Sequence, residues 1–528
     1  MSNLQQSASK EPLTEREKAV HVLTRFSFGY GPDDVNNVMK VGAESWLRGQ
    51  MRDTPASGSS LGQRLKDMQT LFLTPAEVRD LVDTSERVRD LAPAAQKERK
   101  QLERVPRNEI LAAVLYRSIY SPHQTKEVAC DFWRNHFNVS FTKGQQSFPL
   151  IPHYEQTVVR DHVFGDFGTM LRASAKHPAM LQYLDNHLSR RPPTDQELAQ
   201  VERRTQRKTG SKDRAEEAAQ IAAQRGLNEN YARELMELHT LGVDNYYRQK
   251  DVVAVAEALT GWTFSGGRNG DFEFQFQPAM HVKGDKRVLG KRIKEDKTGG
   301  AGQGDDILTL LIQHKGTADF IATKMVRYFV ADEPPKKLVQ AVAKTYKKSG
   351  GGIPAMFLTI IESDEFWKRE NFRAKFKTPW EFLLSALRIT EADVADPRRL
   401  FSLMQSMGQP LYHCDDPTGW YETADRWLDP GVMALRWQFA IDLASGRFRG
   451  VEIPDSFWKR IPTDGVHPRL WQHHLTKLIL PAGAGERTRA ALSSVTSKYL
   501  KREKDPVFSE LGPDLLALLL GSPEFQQQ

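Results

Sequence analysis

The segment Asn228–Gly242, NENYARELMELHTLG, carries Glu234 and Glu237 one helical turn apart. At about 100° per residue, Asn230, Glu234 and Glu237 fall within about 60° of one another, beside an apolar stripe of Tyr231, Leu235 and Leu238. Two carboxylates therefore border the buried side of a helix. A carboxyl against apolar neighbours keeps its proton to higher pH than one in water, so such a pair can divide into general acid and general base. This is the pair that glycosidic cleavage requires. Glu234 is the candidate acid, and Glu237 or Asp185 the candidate base. His239 lies roughly opposite the pair and is expected to point elsewhere. The plain alternative is that both glutamates are solvated, or that Arg233 pairs with Glu237 along the helix.

Other segments place similar groups in apolar surroundings. Trp133 and His136 stand about one turn apart in DFWRNHF, His177-Pro178 opens a helix that continues towards Asp185, and His281 precedes Lys286 in HVKGDK. Together with Asn230 and Trp262 these form the candidate substrate-binding set: His136, His177, Asn230, Trp133, Trp262, His281 and Lys286. Trp133, Trp262 and Trp420 could stack on sugar faces, although core packing is the commoner fate of a tryptophan. A second chemistry draws His136, His177, His281 and Glu234 from separate helices as ligands for a divalent metal. Glu-x-x-Glu stands where a ferritin-type site has Glu-x-x-His, so no dedicated cofactor is expected. HExxH, paired CxxC and GxSxG motifs are missing, and the run Gly284–Arg292 has one residue too many and an Arg where a phosphate loop needs Ser or Thr.

These side chains need a scaffold, and the apolar spacing supplies a mainly α one. Helices are expected over Glu15–Phe26, Glu109–Ser118, Lys126–His136, Ala179–Leu188, Glu229–Leu241, Val252–Leu259, Thr317–Phe329, Lys336–Lys348, Trp380–Arg388, Leu400–Gln405 and Asp514–Leu520. Alternating Phe residues predict at most a short β-ribbon over Phe272–Pro278. Residues 190–225 read as a polar, basic surface insertion and Lys294–Asp306 as a flexible loop. The expected organisation is a large multi-helix single domain, with residues 1–335 as the motif-bearing core and 336–528 as a C-terminal subdomain continuous with it.

The 528 residues, 39% of them apolar, can bury a sizeable core. An excess of 74 Lys+Arg over 67 Asp+Glu is too dilute to indicate a nucleic-acid binder. Cys130 and Cys414 are too few for a disulfide framework and read as small buried residues. No apolar run is long enough to span a membrane, and MSNLQQSASKEPLTEREK has no export pattern. As written the chain is expected in the cytoplasm; removal of a leader would make it periplasmic or extracellular.

Taken together, HVLTRFSFG (21–29), DFWRNHFNVS (131–140), HPAMLQYLDN (177–186), NENYARELMELHTLGV (228–243), ALTGWTF (258–264), TADFIATKMVRYFV (317–330), KTPWEF (377–382) and the late MGQPLYHCDDPTGW (407–420) resemble the bacterial family known as domain of unknown function 1800. The resemblance spans nearly the whole chain. It implies that His136, His177, Asp185, Asn228, Glu229, Asn230, Arg233, Glu234, Glu237, Thr260, Trp262, His281 and Lys286 are motif positions, and that residues 190–225 are a variable insertion. Many members carry export signals and sit beside sulfatase-like partners, which associates the family with extracellular polymers. The chain departs from the pattern at Val282, where Asp is usual, at Ala254, where Glu is usual, and at Glu257, where Arg is usual. The expected function is a hydrolase or lyase acting on a polysaccharide or oligosaccharide. The alternatives are a His/carboxylate metalloenzyme and a non-catalytic binding protein that uses the basic insertion.

Overall fold

Apolar residues at helical spacing bury one face of each long segment, and local stop and start signals set the ends. Thr378 caps the Pro379–Ile389 helix through a reciprocal bond with Glu381, and Pro379 occupies the first turn, where its missing N–H costs nothing. In the computed structural model the helices Pro93–Tyr120, Gln124–His136, Gln249–Leu259, Lys315–Phe329, Lys336–Ser349 and Phe508–Leu520 contain the segments the periodicity marks, most of them extended by a few residues and the first beginning well before the expected Glu109. The structure describes residues 11–52, 60–82, 91–143, 147–223, 226–243, 245–266, 270–503 and 505–528. The chain is mainly α, 62% helical, in a single domain. One continuous apolar core runs from Ala19 to Phe525. Cys130 and Cys414 are buried free thiols. Among the described residues no helix is long and apolar enough to cross a membrane.

The expected ribbon is present but shorter, with Phe274–Phe276 pairing antiparallel to Trp262–Phe264. Two further small pairs occur, Lys286–Val288 with Lys291–Ile293 and Asp393–Val394 with Val451–Glu452. Two helices end earlier than their apolar pattern. The helix after His177 covers Pro178–Tyr183 and stops because Asp185 adopts a left-handed conformation, φ 59°. The glutamate helix covers Asn230–Glu237 and then turns, so the stretch after Leu238 no longer follows helical angles.

The insertion forms a helical hairpin, Asp195–Thr209 against Lys212–Ala223, turning at Gly210 in the left-handed region. Its last two residues, 224 and 225, lie outside the described residues, as do residues 1–10 of the N-terminal sequence read for an export signal. The expected flexible loop at Lys294–Asp306 is held instead by the Asp296 carboxylate, which accepts from the backbone N–H groups of Thr298, Gly300 and Gly302 at 3.0 Å each.

Candidate functional site

The Asn230–Glu237 helix seats Tyr231, Leu235 and Met236 in the core, and the Tyr231 hydroxyl donates to the Ala175 carbonyl at 2.8 Å. That anchorage leaves Glu234 and Glu237 on the helix flank, each partly buried. Arg233 separates their environments. Its guanidinium lies 3.4 Å from Glu237 and 3.4 Å from Glu229 and donates to Gln249 Oε1 at 2.8 Å. The Arg233–Glu237 pair is the plain alternative foreseen from spacing. Among the described residues no cation pairs with Glu234. Burial, then the charges of Glu237 and Asp416, push its carboxyl up to about 7, against only weak relief from Arg233. Two carboxylates of one helix are thus set apart, one ion-paired and one able to hold a proton near neutral pH.

The other sequence-selected residues do not join this pair in one site. His177 caps its helix, with Nδ1 accepting from the Ala179 N–H at 3.0 Å, and Nε2 meets His153 Nδ1 at 2.9 Å. Asp185 is half exposed and pairs with Lys143 at 3.5 Å. Asn230 is exposed, its backbone N–H bound to Asn228 Oδ1 at 2.9 Å. Trp133 and Trp262 are wholly buried, so neither can offer a face to a sugar.

His281, a candidate substrate contact, is only 1% exposed. Its Nδ1 lies 2.8 Å from the Thr260 carbonyl and its Nε2 3.4 Å from Lys286 Nζ. Lys286 is also buried and donates to the Val282 and Gly284 carbonyls and to Gln303 Oε1. His281, Lys286, Thr260 and Gln303 therefore form a closed knot that fixes the Lys286–Ile293 hairpin against the helices, and they cannot reach a ligand. His136 is buried with Nε2 on the His239 carbonyl at 3.2 Å. Burial, reinforced by Lys324, holds its basicity well below the usual histidine range. His239, beyond the end of the glutamate helix, is buried and packs against His136, ring centroids 6.1 Å apart.

The fallback metal set His136, His177, His281 and Glu234 is thereby dispersed, because each histidine is engaged with different neighbours. Among the described residues no three His, Cys, Asp or Glu side chains gather at ligand spacing.

Sequence spacing missed a second constellation. From the Gln124–His136 helix, Arg134 forks onto Glu155, with Nε 3.1 Å from Oε2 and Nη2 2.9 Å from Oε1, and reaches Asp131 through Nη1 at 3.0 Å. Tyr412 donates to Glu155 Oε2 at 2.5 Å, and Tyr328 donates to Asp131 Oδ2 at 3.2 Å. Burial raises Asp131 to about 6 against the opposing pull of Arg134. Asp131, Arg134, Tyr328 and Tyr412 border a narrow cavity that the loop of residues 409–422 also lines. That loop is clamped by Asn135, whose side chain accepts from the Trp420 N–H at 2.7 Å and donates to its carbonyl at 2.9 Å. Gly419 is obligatory there: its φ is +79° and a Cβ would lie 2.5 Å from the Asn135 carbonyl. Asp416 of the same loop adds its charge to the surroundings of Glu234. The only sequence signal for the cavity was that its walls come from DFWRNHFNVS, TADFIATKMVRYFV, KTPWEF and MGQPLYHCDDPTGW.

Residues 21–527 match the family described as protein of unknown function, DUF1800. The chain belongs to the DUF1800 family. No curated protein and no solved structure matches it. The family membership covers both the glutamate helix and the cavity walls, and it brings no activity with it.

Proposed function

We propose that this DUF1800 protein is an acid/base enzyme, a hydrolase or lyase of a glycan, with Glu234 as general acid and Glu237 as its ionised partner. The observation that supports this reading is the asymmetry of the two carboxyls: Glu237 lies 3.4 Å from Arg233, whereas Glu234 is half-buried, has no cation partner among the described residues and feels the charge of Asp416. A carboxyl held near pH 7 matches the operating range of a general acid. Asp185, paired with Lys143 away from this flank, is not retained as the base.

Glu234→Gln preserves shape and hydrogen bonding but cannot titrate. On a substrate found by reducing-end release from a panel of bacterial and plant polysaccharides, it should lower turnover by about 10²–10⁴-fold with the melting temperature nearly unchanged. A glutamine variant as active as the parent would remove Glu234 from the mechanism.

A second reading, a binding protein, is favoured by the hairpin. Its tip carries Arg203, Arg204, Arg207, Lys208, Lys212 and Arg214 against one acid, Asp213. All of these except Lys212, which pairs weakly with Glu216 at 3.7 Å, extend the positive field of an exposed turn. If that reading holds, neutralising Arg203, Arg204, Arg207 and Lys208 should abolish capture of an acidic partner, and Glu234→Gln should leave that capture unchanged.

A further inference from the structure

The cavity beneath residues 409–422 has a composition that the acid/base reading of Glu234 does not use. Its two wall cations are both engaged. Arg134 is spent on Glu155 and Asp131. Lys375, 3% exposed, donates to Asp332 Oδ1 at 2.5 Å and to the Glu422 carbonyl at 2.9 Å. An anionic ligand would find no free cation here and would meet the carboxylates of Asp131, Glu381 and Glu422, so burying its charge would be costly. What remains is hydrogen-bonding capacity. Asp131, Glu381 and Glu422 carry acceptor lone pairs beyond those already used. The indole N–H of Trp380, a wall residue 1% exposed, is a buried donor without a partner among the described residues. Such a donor is costly to leave unmet, and an acceptor on a guest within reach would meet it.

Size and the aromatic rim narrow the guest further. The cavity holds about 50 Å³ of solvent space, room for a few waters or a hydroxymethyl group and too little for a sugar ring. A ring attached to that group would have to rest at the opening, where Trp420 and Tyr421 border the cavity and Tyr421 is 49% exposed. Trp420 and Tyr421 in the wall of a cavity that also carries carboxylate acceptors suit an uncharged, hydroxyl-rich ring, which can stack on an indole and donate its hydroxyls to the carboxylates.

We propose that this cavity is a binding site for the terminal hydroxyl-bearing end of a neutral saccharide, with Trp420 as the stacking platform and Asp131 and Glu422 as hydroxyl acceptors. The site stands on its own walls and does not require that Glu234 cleave anything. It also agrees with the architecture of the loop, since the Asn135 clamp and Gly419 fix Trp420 before any ligand arrives.

Calorimetric titration of the whole protein separates the possibilities, with methyl glucoside and N-acetylglucosamine as neutral probes and glucuronate and glucosamine as charged ones. Saturable binding of a neutral probe is expected, weakened by about tenfold or more in Trp420→Ala and in Asp131→Asn and unchanged in Glu234→Gln. Asp131→Asn retains an acceptor for Tyr328 and leaves the Arg134–Glu155 fork intact, so it tests the site even if loss of Trp420 loosens the loop. Glu422→Gln provides a third, wall-only change. Binding of the charged probes alone, no saturable binding of a neutral probe below about 50 mM, or neutral binding indifferent to both Asp131→Asn and Glu422→Gln would overturn the proposal. If Glu234→Gln loses turnover on a polymer while the cavity binds nothing, the cavity inference fails and the acid/base reading survives; the opposite pattern separates them the other way.

Discussion

Glu155 and Glu234 are both partly or wholly withdrawn from water in the same helical scaffold, yet their chemistry diverges. At Glu155 burial would raise the carboxyl, but Arg134, with Arg160 and Tyr412 nearby, more than reverses it and holds the group below its ordinary range. At Glu234 burial acts in the same direction and the nearest charges, Glu237 and Asp416, add to it. The first carboxylate is consumed by its partners and holds three chain segments together. The second keeps a proton that it can give away. Burial alone therefore does not mark a functional carboxyl; the sign of its neighbours decides.

The contrast can be broken most sharply at Glu155. Glu155→Ala leaves the Arg134 guanidinium buried without its fork, and about 3–5 kcal/mol of stability should be lost in urea denaturation. A loss below about 1 kcal/mol would show that water reaches Arg134 and that the pair is not a closed unit. Next in size is Gly419→Ala, which forces a side chain into the left-handed region against the Asn135 carbonyl. About 1–3 kcal/mol should be lost, and Trp420 fluorescence should shift as the loop lifts. Unchanged fluorescence would mean that the clamp does not set the loop.

The glutamate side of the comparison titrates. Carbon-detected NMR should place the Glu234 midpoint at about 7, with Glu155 ionised through the same range. Because folding raises the Glu234 value above its usual 4.5, its contribution to stability is complete at low pH and declines as pH rises through about 7. Glu234→Gln cannot ionise, so its melting temperature should match the parent near pH 4 and exceed it by about 1 °C at pH 8, the half-exposed position keeping the effect small. A parent that outlasts the variant at pH 8 would contradict the desolvation of Glu234. The smallest expected effect is that of Arg233→Met, which removes the one opposing charge and should move the Glu234 midpoint up by a few tenths of a pH unit. A downward movement would show that Arg233 acts through Glu237 and not directly.

The glutamate pair was legible in the sequence because both residues belong to one helix, whose period fixes their angular separation. The Arg233–Glu237 alternative was legible for the same reason. The sugar-stacking tryptophans were not: Trp133 and Trp262 read the same as Trp420 until packing placed the first two in the core and the third at a cavity wall. His281 and Lys286 were taken as ligand contacts because their polarity stood out, but a buried polar residue that meets Thr260 and Gln303 satisfies the same pattern by fixing the fold.

Periodicity determined what is local here: the mainly α class, the individual long helices, the short Phe ribbon and the side of the helix on which Glu234 and Glu237 stand. Spacing within a segment carries that information because the backbone repeats every 3.6 residues. Where the helices pack, and hence which charges meet, was decided only in three dimensions. Asp131, Glu155, Tyr328 and Tyr412 come from distant segments, and the ionisation of each depends on distances of about 3 Å that no sequence interval encodes.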